Sequence, residues 1–323
     1  MKISVIGPGA VGTMLGGLFQ VKGHEVTLRG RKRAADQGRI VRIVLPRQWI
    51  AAEGIQRQAA EDPIGDHDIV LVTLARHHLH AVRRPDFARL IGAGEEPVAF
   101  FNCDPAEPER LAVPADRTRL CLTLMTAVKL QDADVELASE MPTIIHEKSP
   151  LLSRLFKDLA GFGFRALAVD DVRPHLNSFL ISQLLFLPVA MCNTTLECFL
   201  SAPEGRDLAQ RMLSEGFLTM ERAGLPLAAL PVMDPGELMQ RLEKKPGSFA
   251  SAPSTPNRGY NTILQSCLRG RPIEAAHLNR KIVDIASSAG LHLTWNWRIL
   301  QKAGRVPGVG FYRSPAELLQ SLS

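Results

Sequence analysis

The chain has 323 residues, of which 46% are hydrophobic and 22% charged. At roughly 150 residues per domain, this length predicts about two folded domains. Basic residues outnumber acidic ones by 38 to 33, for a net charge of +5. The sequence has no basic stripe interleaved with aromatic residues, so we expect small anionic ligands as partners and no nucleic acid.

The cysteines and the first residues both indicate the cellular compartment. Five cysteines are widely spaced and include no Cys-x-x-Cys pair, so neither a disulfide framework nor a metal site is expected. The opening residues, MKISVIGPG, lack the apolar stretch and cleavage site of a signal peptide. Histidines 77, 78 and 80 have no ligand spacing and are predicted to lie in a polar loop. We therefore expect a cytoplasmic protein without a metal.

In chain order, the N-terminal half alternates between strand and helix patterns. Strands are predicted at 2–6, 25–28, 41–45, 69–74, 98–102 and 120–126, and a helix at 11–21. This order predicts an α/β fold, with a Rossmann-like, doubly wound and mostly parallel sheet in a domain of residues 1–168.

The remaining residues, 169–323, are predicted to form a mainly α-helical domain. Helices are expected at 173–196, 207–223, 235–244, 261–268, 273–288 and 315–322, with a loop at 245–259. Residues 174–196 are long enough to cross a membrane, but several polar side chains interrupt them. We therefore predict a buried helix and no membrane association.

The turn after the first strand carries the strongest functional motif. Its residues Gly7-Pro8-Gly9-Ala10-Val11-Gly12 match G-x-G-x-x-G between a predicted strand and a predicted helix. The first glycine allows a tight turn, the second lets a pyrophosphate approach the backbone, and the third allows close packing of helix and strand. Free N–H groups at the helix start attract the anion. These six residues are predicted to bind a dinucleotide.

The end of the second strand indicates which dinucleotide is bound. NAD-binding proteins place an acidic residue there, but Leu28 is followed by Arg29-Gly30-Arg31-Lys32-Arg33. Arginine can hold a 2′-phosphate through paired hydrogen bonds. We predict NADP as the cofactor, with Arg31 as the main contact and Lys32 or Arg33 in support. The alternative is a basic turn in contact with solvent only.

Several motifs together resemble the ketopantoate reductase (2-dehydropantoate 2-reductase) family. They are the G-x-G-x-x-G turn, GHEVTL at 23–28, Arg31, DIVLVTL at 68–74, FN at 101–102, LQ at 264–265, RGRPIE at 269–274 and Asn279. The resemblance implies an enzyme that transfers hydride from NADPH to a small 2-oxo acid. It also implies cofactor contacts at Leu74 and Asn102, with Asn102 and Glu274 at the reacting end, and a homodimer formed through the helical half.

The sequence departs from this family at the expected catalytic lysines. Ala75 stands where the resemblance implies one lysine, and Phe179, or Leu185 in a shifted register, stands where it implies the other. No lysine occurs between Lys32 and Lys129 or between Lys157 and Lys244. His175, one helical turn before Phe179, is the predicted replacement acid. Further candidates for contacts with substrate or nicotinamide are His78, Gln183, Arg76, Arg258, Tyr260, Asn261 and Thr262.

These observations leave three functions open. The first is an NADPH-dependent reductase of a small 2-oxo acid or related carbonyl compound. The second is an opine- or imine-type dehydrogenase that reduces a C=N bond. The third is a non-catalytic NADPH-binding protein, which the missing lysines favour.

Overall fold

The computed structural model describes residues 1–30, 40–62, 64–130, 134–139, 141–244, 274–303 and 312–322. The chain divides into two compact units, Met1–Arg173 and Pro174–Ser323. The boundary predicted after residue 168 falls inside the last strand of the first unit, Arg165–Val169.

The first unit is built on an eight-stranded sheet. Its strands are β1 (Lys2–Ile6), β2 (Glu25–Gly30), β5 (Gln56–Ala59), β6 (Ile69–Val72), β7 (Val98–Phe101), β8 (Thr118–Leu124), β11 (Thr143–Glu147) and β12 (Arg165–Val169). Their order is β12-β11-β8-β7-β6-β1-β2-β5, and only the β8–β11 pair is antiparallel. From β1 the chain adds β2 and β5 on one side, and it then adds β6 and the later strands on the other side. The order of strands therefore reverses between β1 and β6, and ligands bind at this reversal point in doubly wound folds.

A second, four-stranded sheet was not anticipated. It consists of β3 (Val41–Leu45), β4 (Gln48–Ala52), β9 (Ala127–Lys129) and β10 (Asp134–Leu137), in the order β4-β3-β10-β9. The assignment of residues 41–45 to the main sheet was therefore wrong. The alternation of buried and exposed residues in β3 suits a sheet with one covered face, whereas the main-sheet strand β6 is buried throughout.

Helix α1 (Ala10–Val21) lies between the two sheets and contacts strands of both. Two glycines on α1 allow the helix to approach both sheets closely. A Cβ at Gly16 would lie 2.7 Å from Leu28 of the main sheet, and one at Gly17 would lie 2.6 Å from Ile43 of the small sheet. Leu15, Leu18 and Phe19 of α1 are buried in the same core.

The other helices of the first unit lie between or after its strands. They are α2 (Arg76–Ala81), α3 (Arg84–Ile91), α4 (Glu107–Arg110) and α5 (Pro150–Lys157). A short 3-10 helix, Ala160–Phe162, precedes β12.

The second unit is helical in the part that the structure describes. Its helices are α6 (Arg173–Gln183, which begins at the boundary), α7 (Phe186–Met191), α8 (Leu196–Ser201), α9 (Pro203–Arg222), α10 (Pro235–Lys244), α11 (Glu274–Ser288), α12 (Trp295–Ala303) and α13 (Pro315–Leu322). The prediction of a doubly wound sheet followed by a mainly helical domain is confirmed.

The predicted helix 173–196 is interrupted between α6 and α7. Pro188 has no N–H to donate to the carbonyl of Leu184, and that carbonyl instead accepts a 3.4 Å bond from Asn279 Nδ2. The segment Arg173–Met191 is long and apolar enough to cross a membrane, but most of it is buried inside the protein. Such burial is the pattern of a core helix.

Candidate active site

The glycine-rich turn has a different constraint at each glycine. Gly7 has φ +94°, and a Cβ there would lie 2.9 Å from the main-chain nitrogen of Leu74. A Cβ at Gly12 would lie 2.3 Å from Thr73 Oγ1. At Gly9, by contrast, the nearest atom would be 3.9 Å away, and the residue is exposed. Packing within the protein therefore requires Gly7 and Gly12, whereas Gly9 leaves space for a ligand.

The start of α1 can bind an anion at this turn. The first bond of the helix runs from Thr13 N to Gly9 O at 3.0 Å, so the amides of Ala10, Val11 and Gly12 precede the helical hydrogen-bond ladder. Gly9 provides no side chain to cap them. The residues present thus fit the pyrophosphate of a dinucleotide, because amide donors, the helix dipole and open space coincide here.

Lys129 from the small sheet reaches the same turn. Its Nζ donates a 3.2 Å hydrogen bond to the carbonyl oxygen of Pro8, which also accepts from Thr13 Oγ1 at 3.1 Å. Sequence reasoning missed this residue. Lys129 lies 121 positions after Pro8. Their contact depends on the small sheet, which packs on α1, and a motif of neighbouring residues cannot predict it.

The end of β6 packs against the glycine-rich turn. Thr73 Oγ1 donates to Gly7 O at 2.8 Å and lies 3.2 Å from Ile6 O. The main chain of the next residue, Leu74, is close enough to Gly7 to exclude any side chain there. Leu74 thus lies beside the proposed phosphate site.

Asn102, directly after β7, uses its side-chain amide inside the first unit. Its Oδ1 accepts a 2.7 Å bond from Thr123 N, and its Nδ2 donates to Thr123 O at 3.3 Å. Its φ is +52°, in the left-handed region that asparagine adopts more readily than most residues. The amide therefore links β7 to β8.

Arg76 joins the ends of β6 and β7. Its Nε donates a 2.6 Å bond to the main-chain oxygen of Asn102, and the side chain is partly buried. A guanidinium at this edge of the sheet can bind a carboxylate. Of the neighbouring histidines, His80 Nδ1 lies 2.9 Å from Glu107 Oε1. In the described chain, no group of three or more potential metal ligands occurs.

Two cysteines close to Asn102 have thiols whose pKa is raised by burial. Cys103 is buried, and desolvation raises the pKa of its thiol to about 12. Burial also raises the pKa of Cys121, which pairs with Phe101 in the sheet. Burial of both thiols disfavours the thiolate, which is the reactive form of cysteine.

The predicted 2′-phosphate contacts Arg31 and Lys32 lie outside the described residues, but Arg29 can be assessed. Arg29 is only 1% exposed and donates to Gln58 Oε1 at 2.6 Å and to Asp62 O at 2.5 Å. Burial lowers the pKa of its guanidinium, and the nearby Asp62 opposes that shift. Arg29 thus stabilises the segment after β5.

The remaining predicted residues belong to the second unit. His175 lies in the first turn of α6, and Phe179 and Gln183 follow at intervals of four residues. Gln183 Nε2 lies 3.3 Å from Ser182 Oγ. Glu274 is the first residue of α11, but its side chain lies outside the description, as do Arg258 and residues 260–262.

Asn279, from the family-like motif, is fully buried in the core of the second unit. Its Nδ2 lies 3.4 Å from both Leu184 O and Asn296 Oδ1, while Asn296 Nδ2 donates to Glu215 Oε2 at 2.9 Å. Glu215 also accepts from the first amides of α12. These contacts assign Asn279 a structural role in joining helices.

Comparison with known families identifies the chain. Residues 3–149 match the model described as ketopantoate reductase PanE/ApbA, and residues 187–305 match its C-terminal counterpart. The chain belongs to the ketopantoate reductase family. A search of curated protein sequences gives no match.

Solved structures of ketopantoate reductases and a related dehydrogenase share the fold. The PanE/ApbA family ketopantoate reductase from Ralstonia eutropha JMP134 is 17% identical, with a TM-score of 0.77 over 95% of this chain and 98% of that one. D-mandelate dehydrogenase with NADH and anilino(oxo)acetate is 15% identical, with a TM-score of 0.78 over 94% and 98%. The 2-dehydropantoate 2-reductase from Methylococcus capsulatus is 16% identical, with a TM-score of 0.72 over 94% and 96%.

Proposed function

We propose that the protein is an NADPH-dependent reductase of a small 2-oxo acid, within the ketopantoate reductase family. The observation that carries this proposal is the position of the Gly7–Gly12 turn beside the end of β6, at the reversal point of the sheet. Arg76 supplies a positive charge at the same edge. A dinucleotide and an anionic substrate are therefore the ligands that suit this edge.

NADP is the proposed form of the cofactor. No acidic residue stands at the end of β2 to accept a bond from a ribose 2′-hydroxyl. Arg29 is engaged with Gln58 and Asp62, which leaves Arg31 and Lys32 as the proposed partners of a 2′-phosphate. Because the similar structure of D-mandelate dehydrogenase contains NADH, binding of NADPH has to be compared with binding of NADH.

We propose one residue to bind the substrate carboxylate, one to donate the proton, and two to line the reacting end. When bound, NADPH supplies the hydride that reaches the carbonyl carbon, and a proton must reach the carbonyl oxygen to give a 2-hydroxy acid. Arg76 is the proposed partner of the substrate carboxylate, because arginine stays charged and does not act as an acid near neutral pH. His175 is the proposed proton donor, and Asn102 and Glu274 are proposed to line the reacting end.

The deciding experiment is the initial rate of NADPH oxidation with ketopantoate, pyruvate and 2-oxoisovalerate, with NADH as the cofactor control. D-mandelate with the oxidised cofactor tests the reverse direction. NADPH-dependent turnover on a 2-oxo acid supports the proposal. Turnover that requires an added amine would instead indicate an imine reductase. Tight NADPH binding without turnover on any of these substrates would indicate a binding protein.

Replacement of His175 by alanine tests the proposed acid. The expected result is a fall in kcat of about 100-fold, the lower range for general acid catalysis, with NADPH affinity unchanged. Unchanged turnover would remove His175 from the mechanism.

Assembly and location complete the proposal. One similar structure is that of a dimeric ketopantoate reductase from Staphylococcus aureus, and we propose a cytoplasmic homodimer for this chain. Sedimentation should then give twice the chain mass of 35.4 kDa.

A further inference from the structure

We infer that Lys129 binds the pyrophosphate of the dinucleotide, so that the small sheet forms part of the cofactor site. This inference rests on the proposed function. Its basis is the 3.2 Å hydrogen bond from Lys129 Nζ to Pro8 O, inside the turn whose following amides open α1.

The position of Lys129 is determined by the structure of the small sheet. Lys129 ends β9 and pairs with Val135 of β10, whose neighbour β3 packs on α1. Lys129 is partly buried, and the strand β9 that carries it contacts α1. The hydrogen bond to Pro8 O places the ammonium at the turn that precedes α1.

The charges around the Lys129 ammonium favour an anionic ligand. The N-terminus of a helix carries roughly half a positive charge, and a lysine beside it adds a full one. A pyrophosphate brings two negative charges and is attracted by both groups at once. The attraction is stronger at a partly buried site than in bulk water, because screening is weaker.

The proposed contact also predicts a pattern of specificity. NADPH and NADH share the pyrophosphate and differ in the 2′-phosphate. Loss of Lys129 should therefore weaken both cofactors by the same factor, whereas loss of Arg31 should weaken NADPH alone.

The test measures the dissociation constants of NADPH and NADH by nicotinamide fluorescence. For Lys129→Gln we expect about tenfold weaker binding of both, the order of one charge-assisted hydrogen bond. The ratio of the two constants should stay unchanged, and the dependence of binding on salt should become less steep. Lys129→Arg should restore most of the affinity. Lys157→Gln, at an exposed position of α5 in the same unit, is the matched control.

Three results would overturn the inference. The first is a change below twofold for both cofactors in Lys129→Gln. The second is a loss confined to NADPH, which would assign Lys129 to the 2′-phosphate. The third is an equal loss in Lys129→Gln and Lys129→Arg, which would indicate a purely structural role. Lys129→Met provides a second neutral variant if Lys129→Gln does not fold. Failure of the unmodified protein to bind either cofactor would instead overturn the proposed function itself, and this inference with it.

Discussion

Arg76 and Asn102 are joined by a 2.6 Å hydrogen bond from the Nε of the first to the main-chain oxygen of the second. Arg76 begins α2 after β6, and Asn102 follows the neighbouring strand β7. Since Asn102 is itself fixed to Thr123 of β8, the guanidinium is anchored to a chain of three adjacent strands. Such anchoring lowers the entropy lost when a carboxylate binds.

Replacement of Arg76 by alanine should therefore act mainly on substrate binding. We expect KM for a 2-oxo acid to rise by about 10- to 100-fold, the equivalent of roughly 1.5–3 kcal/mol for a charged hydrogen bond. Arg76→Lys should recover part of the loss because it keeps the charge. Arg83→Ala, which removes an exposed arginine before α3, is the control. An unchanged KM in Arg76→Ala would exclude the carboxylate contact.

Two glycines of the same turn should respond differently to alanine. Gly9→Ala should change the free energy of unfolding by less than about 0.5 kcal/mol, because the nearest atom to a Cβ there, at 3.9 Å, is at ordinary contact distance. It should nevertheless weaken NADPH binding at least tenfold. Gly12→Ala should destabilise the protein by about 1–3 kcal/mol, since its Cβ would overlap Thr73 Oγ1. Urea unfolding and fluorescence titration measure both effects, and equal behaviour of the two variants would contradict this assignment.

Asn102 should contribute to stability through its amide and through its backbone conformation. Asn102→Gly leaves the buried Thr123 amide without its 2.7 Å acceptor, at an expected cost of about 1–3 kcal/mol. Asn102→Ala should cost about 1 kcal/mol more, because φ is +52°. Urea unfolding of both variants is the measurement. If the Asn102→Ala protein were as stable as the Asn102→Gly protein, the positive φ would not explain the choice of residue at this position.

His146 should make stability depend on pH in the weakly acidic range. This residue is 1% exposed, and desolvation lowers the pKa of its ring, while its bond to Glu147 O opposes that shift. The folded state therefore favours the neutral ring. The resulting stability is complete above the ordinary value of 6.5 and is lost as the pH falls below it toward the folded pKa.

The measurement is the melting temperature between pH 5 and 7.5. His146→Gln removes the titrating group, so its melting temperature should fall less steeply with acid than that of the unmodified protein. Parallel slopes would show that other groups dominate. The comparison uses slopes because the substitution itself changes packing against Phe156.

The N-terminal motif could be predicted from sequence because its signals are local. The turn, strand β1 and helix α1 occupy about twenty consecutive residues, and the structure shows a steric reason for Gly7 and for Gly12. The small sheet could not be predicted, since it pairs residues 42–44 of β3 with residues 134–136 of β10, which are far apart in the sequence. Lys129 was missed for the same reason.

Asn102 illustrates a second limit of sequence reasoning. Its place at a strand end was predicted correctly, but only the structure shows that Thr123 takes up its amide. In the second unit, the residues proposed for chemistry, His175 and Glu274, stay predictions. Motif spacing assigned Asn279 to a family signature, whereas its contacts place it in the helical core.

The small sheet also has a consequence for how the chain matures during translation. Its hairpin β3–β4 is complete at Ala52, but its partners β9 and β10 end only at Leu137. At roughly 5–20 residues per second, several seconds separate these events on the ribosome. Until then, the outer side of α1 is only half covered. A nascent chain paused in that interval presents part of the apolar face of α1 that the complete small sheet covers.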